Sequence, residues 1–242
     1  MNIIADLHTH TLACRHGFST VTEVIRAAAE KKLLAVGLTE HGPGYPGSVS
    51  YAYFNTYRDI PAQMFGIRVL KGCEANLMDR DGKLDFTAEQ LAKLDIVIAS
   101  CHGEVTPCGS VEENTAMYLG AIRNPRVDVI GHPDSPKYPI DVLRVVQEAA
   151  RCGVALEINN SSPAARPGSE AMCTAIIQAA LQFGAKLAVA SDAHYHMAVG
   201  EFSYALRLLK ENNIPEEQVI NSSWERLTNY LQQRRQAASS GD

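Results

Sequence analysis

The eight histidines of this 242-residue chain fall into short polar clusters, most of which directly follow a run of apolar residues. The clusters contain His8 with His10, His16, His41, His102, His132, and His194 with His196. A further cluster, around Glu74, has the same form with a carboxylate in place of imidazole. Imidazole and carboxylate together suit Zn²⁺, Mn²⁺ or Fe, whereas Ca²⁺ and Mg²⁺ prefer shells of oxygen alone. The pattern predicts one polynuclear metal site built from the ends of several strands.

Two pairs in these clusters have the spacing of residues on one face of a strand. His8 and His10 lie two residues apart, and so do Asp192 and His194. Because side chains alternate along a strand, the members of each pair point the same way. One such pair is only moderately specific. Further clusters in matching positions make a shared metal site the stronger interpretation.

His16 and His196 are not placed by the strand pattern. His16 lies in a loop that no strand fixes, so the residues alone leave its role open between a ligand and a surface histidine. His196 extends the last cluster to Asp-x-His-x-His, but it lies beyond the predicted strand. We therefore expect His196 not to be a ligand. It remains, with a metal-bound water, one of two possible proton donors to a leaving group.

Seven short apolar runs predict the strands that carry the clusters. Their bounds are 3–7, 34–38, 67–71, 95–99, 128–130, 154–158 and 186–190. Near-continuous apolar strands of this length are typical of a parallel sheet covered by helices. Six of the seven runs lead into the His, Glu and Asp residues above. The remaining run leads into Asn159 and Asn160, whose amides could contact a substrate.

Segments with apolar residues at three- and four-residue spacing predict the helices between the strands. Their bounds are 24–32, 109–124, 141–152, 169–183, 200–212 and 222–236. Ser19 or Thr20 followed by Glu23 provides a capping signal ahead of the first helix. The alternation predicts a single-domain α/β fold, a seven-stranded (β/α) barrel over residues 1–236, with a flexible tail at 237–242. Residues 42–53, rich in Gly, Pro, Ser and Tyr, predict a long loop that shapes the pocket.

Composition and charge exclude some classes of function. The net charge of −5 and the pI of about 5.9 argue against bulk electrostatic binding of long nucleic acid. The six cysteines have no paired spacing, so we expect reduced thiols, with Cys73 and Cys101 as packing residues. No apolar run approaches the ~20 residues of a membrane span, and a basic secretory signal is missing. We expect a cytoplasmic protein; the oligomeric state is not readable.

The clusters also carry a family resemblance. The stretches DLHTHT, TEHGP, GCEAN, CHGE, GHPDSPKY, LEINNSS and SDAH occur in this order along the chain. As an ordered set they resemble the PHP (polymerase and histidinol phosphatase) family, above all its small stand-alone bacterial phosphatases. The likeness runs through essentially the whole chain. It implies a distorted TIM-like (β/α)7 barrel with a trinuclear centre of divalent ions, most often zinc, with manganese or iron also possible.

The resemblance assigns nine ligands to the three ions. The first ion would be held by His8, His10, Glu74 and Asp192, the second by Glu74 as a bridge with His102 and His132, and the third by His16, His41 and His194. His16 enters the set because its offset from the HTH motif matches, whereas the family pattern does not require His196. Three basic residues in loops of the active face, Arg15, Lys137 and Arg166, are candidates for phosphate contact, and Asn160 is a further candidate for substrate contact.

The function that follows is hydrolysis of small phosphate monoesters. A metal-activated hydroxide would attack phosphorus in line while the ions offset the charge that develops. Glu74, Asp192 and His194 would be the catalytic residues, and no cysteine, serine or aspartate nucleophile is needed. The expected partner is a small phosphate ester, with neither long nucleic acid nor a membrane.

Other functions remain open at this point. Within the same family, a phosphodiesterase or a 3′ exonuclease would use the same ions. Histidinol phosphate phosphatase is a narrower possibility within the hypothesis of a phosphate monoesterase. Amidohydrolases also place an HxH pair after their first barrel strand, but they generally need a bridging carboxylated lysine. A non-catalytic metal-binding module would show a damaged ligand set. Here all nine expected ligands are present.

Overall fold

Seven parallel strands form the barrel that the apolar runs predicted. In the computed structural model, which describes residues 1–240, they are β1 (Ala5–Asp6), β2 (Ala35–Leu38), β4 (Ile67–Asn76), β5 (Ile96–Ser100), β6 (Val129–Ile130), β7 (Ala155–Asn159) and β8 (Leu187–Ala190). Each is hydrogen-bonded to the next in this order. A two-residue strand, β3 (Gln63–Met64), forms an antiparallel hairpin with the start of β4. The hairpin was not predicted, because Gln63–Met64 is not part of an apolar run.

Helices cover the outside of the barrel and connect its strands. They are α1 (Val21–Glu30), α2 (Tyr51–Asn55), α3 (Ala88–Leu91), α4 (Val111–Arg123), α5 (Val142–Cys152), α6 (Ser162–Ala165), α7 (Glu170–Phe183), α8 (Ser203–Glu211) and α9 (Trp224–Ser240). The short helices α2, α3 and α6 were not predicted, and α2 takes up the end of the predicted loop. Helix α1 begins earlier than predicted because Thr20 caps it in a reciprocal box with Glu23. Within residues 1–240, no helix has both the length and the apolar character that crossing a membrane requires.

Alternate residues of each strand face two separate cores. Along β7, Leu156 and Ile158 belong to the large core that packs against the helices, whereas Ala155 belongs to a smaller core inside the barrel. Because side chains alternate, Glu157 and Asn159 lie on the same side of the strand as Ala155. The barrel interior is therefore apolar near the strand starts and polar near their carboxyl ends, where active sites of such barrels lie.

The seam between β8 and β1 is closed largely by side chains and isolated contacts. The amide of Asn221 donates to the carbonyls of Ala5 and Val189, at 2.8 and 2.6 Å, and its Oδ1 accepts from the Val189 N–H at 3.1 Å. Further up the seam, Asp6 accepts from the backbone N–H of Ser191 at 3.1 Å, and residues 9 and 193 form a parallel bridge. These contacts satisfy strand edges that a continuous ladder would otherwise pair. The barrel is therefore distorted at this seam, where side chains and an isolated bridge stand in place of a regular ladder between β8 and β1.

Helix α9 closes the opposite end of the barrel. Tyr230 lies in the inner core, where its hydroxyl donates to the carbonyl of Asp128 at 2.5 Å and accepts from the N–H of Ala155 at 2.9 Å. The helix includes residues 237–240, which the sequence assigned to a flexible tail. Alanine favours helix, and Ala238 is buried, so the last turn has both local and packing support. Residues 241–242 of that predicted tail lie outside the described residues.

Gly37 of β2 packs tightly against the backbone of Leu7, the residue that follows β1. A Cβ at this position would lie 2.6 Å from the carbonyl oxygen of Leu7, which is backbone and cannot rotate away. We predict that Gly37→Ala lowers the free energy of unfolding by about 1–3 kcal/mol, the usual cost of overpacking. Urea denaturation measures this loss. The matched control is Gly103→Ala, whose new methyl meets only the flexible side chain of Lys137; equal stabilities of the two variants would contradict the prediction.

Candidate metal centre

Glu74 lies at the middle of the histidine clusters. It is fully buried near the end of β4, and ring nitrogens of five histidines lie within 3.5 Å of its carboxylate: His8, His10, His41, His102 and His132. The oxygens face different groups. Oε2 lies 3.4 and 3.5 Å from Nε2 of His8 and His10, whereas Oε1 lies 3.1 and 2.8 Å from Nε2 of His102 and His132.

Asp192 meets the first pair of histidines from the other side of the barrel seam. Its Oδ1 lies 3.7 Å from Nε2 of His8 and 3.4 Å from Nε2 of His10. Its backbone has a positive φ of 55°, and His132 likewise has a φ of 30°. Residues other than glycine rarely adopt this region, and such strain tends to collect at functional sites. The fold therefore holds both residues in unusual conformations beside the cluster.

The remaining predicted ligands, His16, His41 and His194, form a group nearer the surface. One ring nitrogen from each lies within 4.8 Å of the others, and Nε2 of His16 is 3.2 Å from Nε2 of His41. His16 is carried by the turn after β1, and the backbone N–H of Phe18 donates to the carbonyl of His194 at 2.7 Å. The structure thus brings all nine predicted ligands together.

Two buried polar residues, Glu157 and Asn76, orient histidines, and a third, Glu40, lies close by; sequence reasoning assigned none of them a role. Oε1 of Glu157 lies 2.7 Å from Nδ1 of His8, and its Oε2 accepts from the backbone N–H of His132 at 2.7 Å. Oδ1 of Asn76 lies 2.8 Å from Nδ1 of His102. Glu40 lies behind His10 without bonding to it: its carboxylate accepts from Thr11, and its Oε2 is 4.0 Å from Nδ1 of His10. Glu157 carried a usable signal, because a carboxylate inside an apolar strand, two residues before an asparagine, must face a polar site.

The electrostatics of the cluster favour bound cations. Burial raises the pKa of Glu74, but His102, His8 and His41 outweigh it and hold that pKa well below its usual range. Burial also raises the pKa of Asp192, but His8, His10 and Arg166 outweigh burial and hold that pKa well below its usual value. The centre therefore keeps ionised carboxylates in a water-poor interior, where unpaired negative charge is costly and cations are attracted.

Most of the imidazoles that have shifted pKa values are held neutral, which is the form that binds metal. Burial lowers the pKa of His41 to about 4 and that of His10 well below its usual value, and it also lowers the pKa of His16. His8 is the exception. Burial lowers its pKa, but the carboxylates of Glu157, Glu74 and Asp192 outweigh burial and raise that pKa well above the usual value.

Several buried nitrogen and oxygen atoms at the centre, each able to bind a metal, have no hydrogen-bond partner within residues 1–240. They are Oε2 of Glu74, Nδ1 of His10, His41 and His132, and Nε2 of His194. Oε2 of Glu74 lies 2.6 Å from Nδ1 of His41, but not in hydrogen-bonding geometry. Buried polar atoms of a protein are nearly always satisfied, so unpartnered atoms that converge need an explanation. Divalent metal ions fit this donor set, because imidazole nitrogen and carboxylate oxygen are their common ligands.

A cleft of about 610 Å³ opens over the metal centre. Its walls include His16, His41, His102, His132, Asp192 and His194, together with Tyr45, Lys137 and Arg166. Two predicted substrate contacts do not line it: Arg15 is exposed outside the cleft, and Asn160 accepts hydrogen bonds from the backbone N–H groups of Tyr204 and Ala205 at the start of α8. A second cavity, of about 640 Å³, lies beneath α9 and has no histidine in its walls.

Comparison with known proteins shows the family of this chain. The PHP domain matches residues 6–161, more than half of the chain. A protein named probable phosphatase from Caldanaerobacter subterraneus subsp. tengcongensis is 45% identical over 243 residues, covering 100% of this chain and 96% of the relative. Another from Shewanella sediminis is 40% identical over 235 residues, covering 97% and 96%. The chain belongs to the PHP family.

Solved structures of low sequence identity share the fold of this PHP-family protein. Histidinol phosphate phosphatase from Lactococcus lactis, solved with zinc, L-histidinol and phosphate, is 17% identical with a TM-score of 0.65, covering 89% of this chain and 95% of that one. A putative histidinol phosphatase from Listeria monocytogenes is 14% identical with a TM-score of 0.55, covering 83% and 99%. The family and its relatives make the protein a metal-dependent phosphatase, and so a hydrolase.

Arg166 of this PHP-family phosphatase connects the metal centre to the cleft wall. Its Nη2 lies 3.3 Å from Oδ2 of Asp192, and its Nε lies 3.9 Å from Oδ1 of Asp134. Asn159 also donates to Oδ2 of Asp192, at 3.1 Å. Both partners therefore hold the oxygen of Asp192 that faces away from His8 and His10. We infer that Arg166 positions Asp192, a predicted metal ligand, while its charge faces the cleft.

We predict that Arg166→Ala lowers kcat/KM for an aryl phosphate by about 10- to 100-fold, as loss of a residue that orients a metal ligand usually does. Arg166→Lys should be nearly as impaired, because an ammonium group cannot span Asp134 and Asp192 as the planar guanidinium does. Steady-state kinetics with metal content measured on the same sample is the test. Unchanged kinetics in both variants would show that Arg166 is a surface residue of the cleft.

His196 lies beside the centre but is held by a different contact. Its Nδ1 is 3.0 Å from Oγ of Ser19, and its backbone N–H donates to the same oxygen at 2.9 Å. It belongs to none of the groups of converging ligand atoms within residues 1–240. We predict that His196→Ala binds as many metal ions per chain as the wild type, measured by elemental analysis. Loss of one ion per chain would place His196 among the ligands.

Proposed function

We propose that this PHP-family phosphatase hydrolyses small phosphate monoesters at a centre that holds three divalent ions. The observation that carries the proposal is that the two carboxylate oxygens of Glu74 face different histidines. Oε2 faces His8 and His10, with His41 also at 2.6 Å, and Oε1 faces His102 and His132 at 3.1 and 2.8 Å. A buried carboxylate whose two oxygens face separate groups of imidazoles is suited to bridge two neighbouring ions.

The proposed ligand sets follow these groups. His8, His10, Asp192 and Glu74 would hold the first ion, Glu74, His102 and His132 the second, and His16, His41 and His194 the third. The unpartnered atoms of Glu74 and His194 support this assignment, because each belongs to a side chain of a proposed set. When bound, such ions neutralise phosphate oxygens and acidify water, which makes hydroxide available at neutral pH.

The residues of the chain have separate tasks in this proposal. Glu74 and Asp192 supply the negative charge that lets cations approach one another closely. Glu157 fixes the ring of His8 through Nδ1, so that Nε2 faces the centre. Lys137 and Arg166 place positive charge on the cleft wall, where it can contact phosphate oxygens as they gain charge.

We propose zinc as the resident metal. Seven imidazoles and two carboxylates form the proposed ligand set, and such mixed nitrogen and oxygen donors suit Zn²⁺. The Lactococcus enzyme that shares the fold was solved with zinc. Manganese or iron suit the same donors, and supply in the cell often decides among them.

The size of the cleft supports a small substrate. A volume of about 610 Å³ lies within the range of pockets for small molecules. The Lactococcus enzyme was solved with L-histidinol and phosphate, a small alcohol and inorganic phosphate, which are the two parts of a small phosphate monoester. The negative net charge gives no support to binding of long nucleic acid. We therefore propose a small phosphate ester as the partner, and a cytoplasmic location in keeping with six free cysteines in the described part of the chain.

The direct test compares an aryl phosphate with the matching aryl phosphodiester. Protein purified without chelator is assayed on both, with Zn²⁺ or Mn²⁺ added, beside Asp192→Asn to exclude a contaminating phosphatase. Turnover of the monoester that is lost in the variant is the expected result. Cleavage of the diester alone would replace the proposal with a phosphodiesterase. Equal turnover by the variant would mean that the activity comes from elsewhere.

A further inference from the structure

Cys14 lies inside the metal centre although the family resemblance gives it no role. Cys14 is the last residue of a short 3-10 helix, Leu12–Cys14, which lies between His10 and His16. Only 1% of Cys14 is exposed. Its backbone N–H donates to the carbonyl of Thr11 at 3.2 Å, and the left-handed backbone of Arg15 then reverses the chain. The turn therefore holds the thiol inward rather than toward solvent, and Sγ donates to the carbonyl of Thr11 at 3.1 Å, a contact that a metal–sulfur bond would replace.

The side chains around Cys14 form a donor set of their own. Sγ of Cys14, one ring nitrogen of His10 and one of His194 all lie within 4.8 Å of one another. The rings of His10 and His194 stack with centroids 4.3 Å apart, so the two edges face the same space. His10 is fully buried, and its Nδ1 has no hydrogen-bond partner within residues 1–240. Nε2 of His10 faces Glu74 and Asp192, so the unpartnered Nδ1 is the nitrogen left for a second ion, and it is a sign independent of the thiol.

We propose that Cys14, His10 and His194 form an additional metal position, with sulfur and nitrogen donors, that takes a thiophilic divalent ion such as Cd²⁺ or excess Zn²⁺. Binding replaces the thiol proton, which is released to solvent, with a metal–sulfur bond. Thiolate ligands select soft ions, whereas Mn²⁺ prefers oxygen and nitrogen. The position therefore discriminates between metals that the all-histidine group does not separate.

The new position competes with the third ion of the proposed centre, so this inference rests on the proposed function. Nδ1 of His194 lies 3.1 Å from the carbonyl oxygen of Asp192, which leaves Nε2 to bind metal. One nitrogen holds one ion, and His194 can serve either the group with His16 and His41 or the group with Cys14. A soft ion at Cys14 thus withdraws His194 from the catalytic arrangement and inhibits the enzyme.

The first experiment is a titration of the metal-free protein with Cd²⁺, followed by the ultraviolet charge-transfer absorption of a thiolate–cadmium bond. We expect this band in the wild type and in Cys108→Ser, a control that removes an exposed thiol. We expect it to be absent in Cys14→Ser. Cd²⁺ should also inhibit Mn²⁺-supported turnover more strongly in the wild type than in Cys14→Ser. A band of equal strength in Cys14→Ser, or no band in the wild type, would overturn the proposal.

A second measurement needs no variant, in case Cys14→Ser does not fold. X-ray absorption of the wild-type protein loaded with one equivalent of Cd²⁺ should contain a sulfur scatterer bonded to the ion, and a shell of nitrogen and oxygen alone would refute the inference. Failure here is distinct from failure of the proposed function. A protein with three ions and monoester turnover but no sulfur ligation would keep the function and lose only the Cys14 position.

Discussion

Glu74→Gln should lower phosphatase turnover by about 10²- to 10³-fold or more, because the variant loses a charge shared between ions. The amide keeps the shape of the side chain, but one of its two ends becomes an N–H donor. That donor would face imidazole nitrogens and cannot bind a cation. The largest loss should be in kcat, since the change acts on the reacting centre rather than on the cleft wall.

The matched control for this variant is Glu104→Gln, which removes a carboxylate at the cleft mouth. Both variants lose one negative charge, so a difference between them isolates the position of Glu74. Kinetics and elemental analysis are measured on the same samples, with circular dichroism as a check on folding. Near-normal turnover in Glu74→Gln with full metal occupancy would contradict a bridging role for this residue.

Removal of metal should abolish turnover and lower the thermal midpoint of unfolding together. An ion that binds only the folded chain stabilises it by about 4 kcal/mol when its free concentration is a thousand times its Kd. Removal also leaves Glu74, Glu157 and Asp192 ionised in a buried site without that compensation, which is costly. Calorimetry before and after chelation measures the shift in midpoint.

The control for chelation is restoration with different ions. Zn²⁺ or Mn²⁺ should restore both turnover and the midpoint, whereas Ca²⁺ should restore neither, because it prefers shells of oxygen alone. A chelated protein that keeps its turnover, with metal absent by elemental analysis, would show that the reaction proceeds through protein side chains instead.

The sequence predicted most of the architecture because short apolar runs alternate regularly with segments of helical periodicity. The order of the strands around the barrel follows from that alternation. The hairpin strand β3 and the short helices α2, α3 and α6 were not predicted, because Gln63–Met64 is not part of an apolar run and helices of four or five residues are too short for a helical period. The seam between β8 and β1 was not predicted either, because it depends on the side chain of Asn221, far away in sequence.

At the site, histidine after a buried strand was a strong signal, and the structure brings the nine predicted ligands together. Side chains that orient ligands were harder to predict. Glu157 is part of an apolar run, and its polar role follows only from the side of the strand that it faces. Asn160 was wrongly predicted to contact substrate. It is the residue after Asn159, and its side chain caps α8 instead of lining the cleft. Cys14 reaches the centre through a tight turn, which no periodic pattern predicts.

Elemental analysis of protein purified without chelator tests the central claim most directly. We predict three divalent ions per chain, mainly zinc, with turnover of an aryl phosphate that falls in proportion as ions are removed. Parallel analysis of Glu74→Gln should give fewer ions and little turnover. Substoichiometric metal in a sample with full monoester turnover would contradict the account, because the converging histidines would then have no part in the reaction.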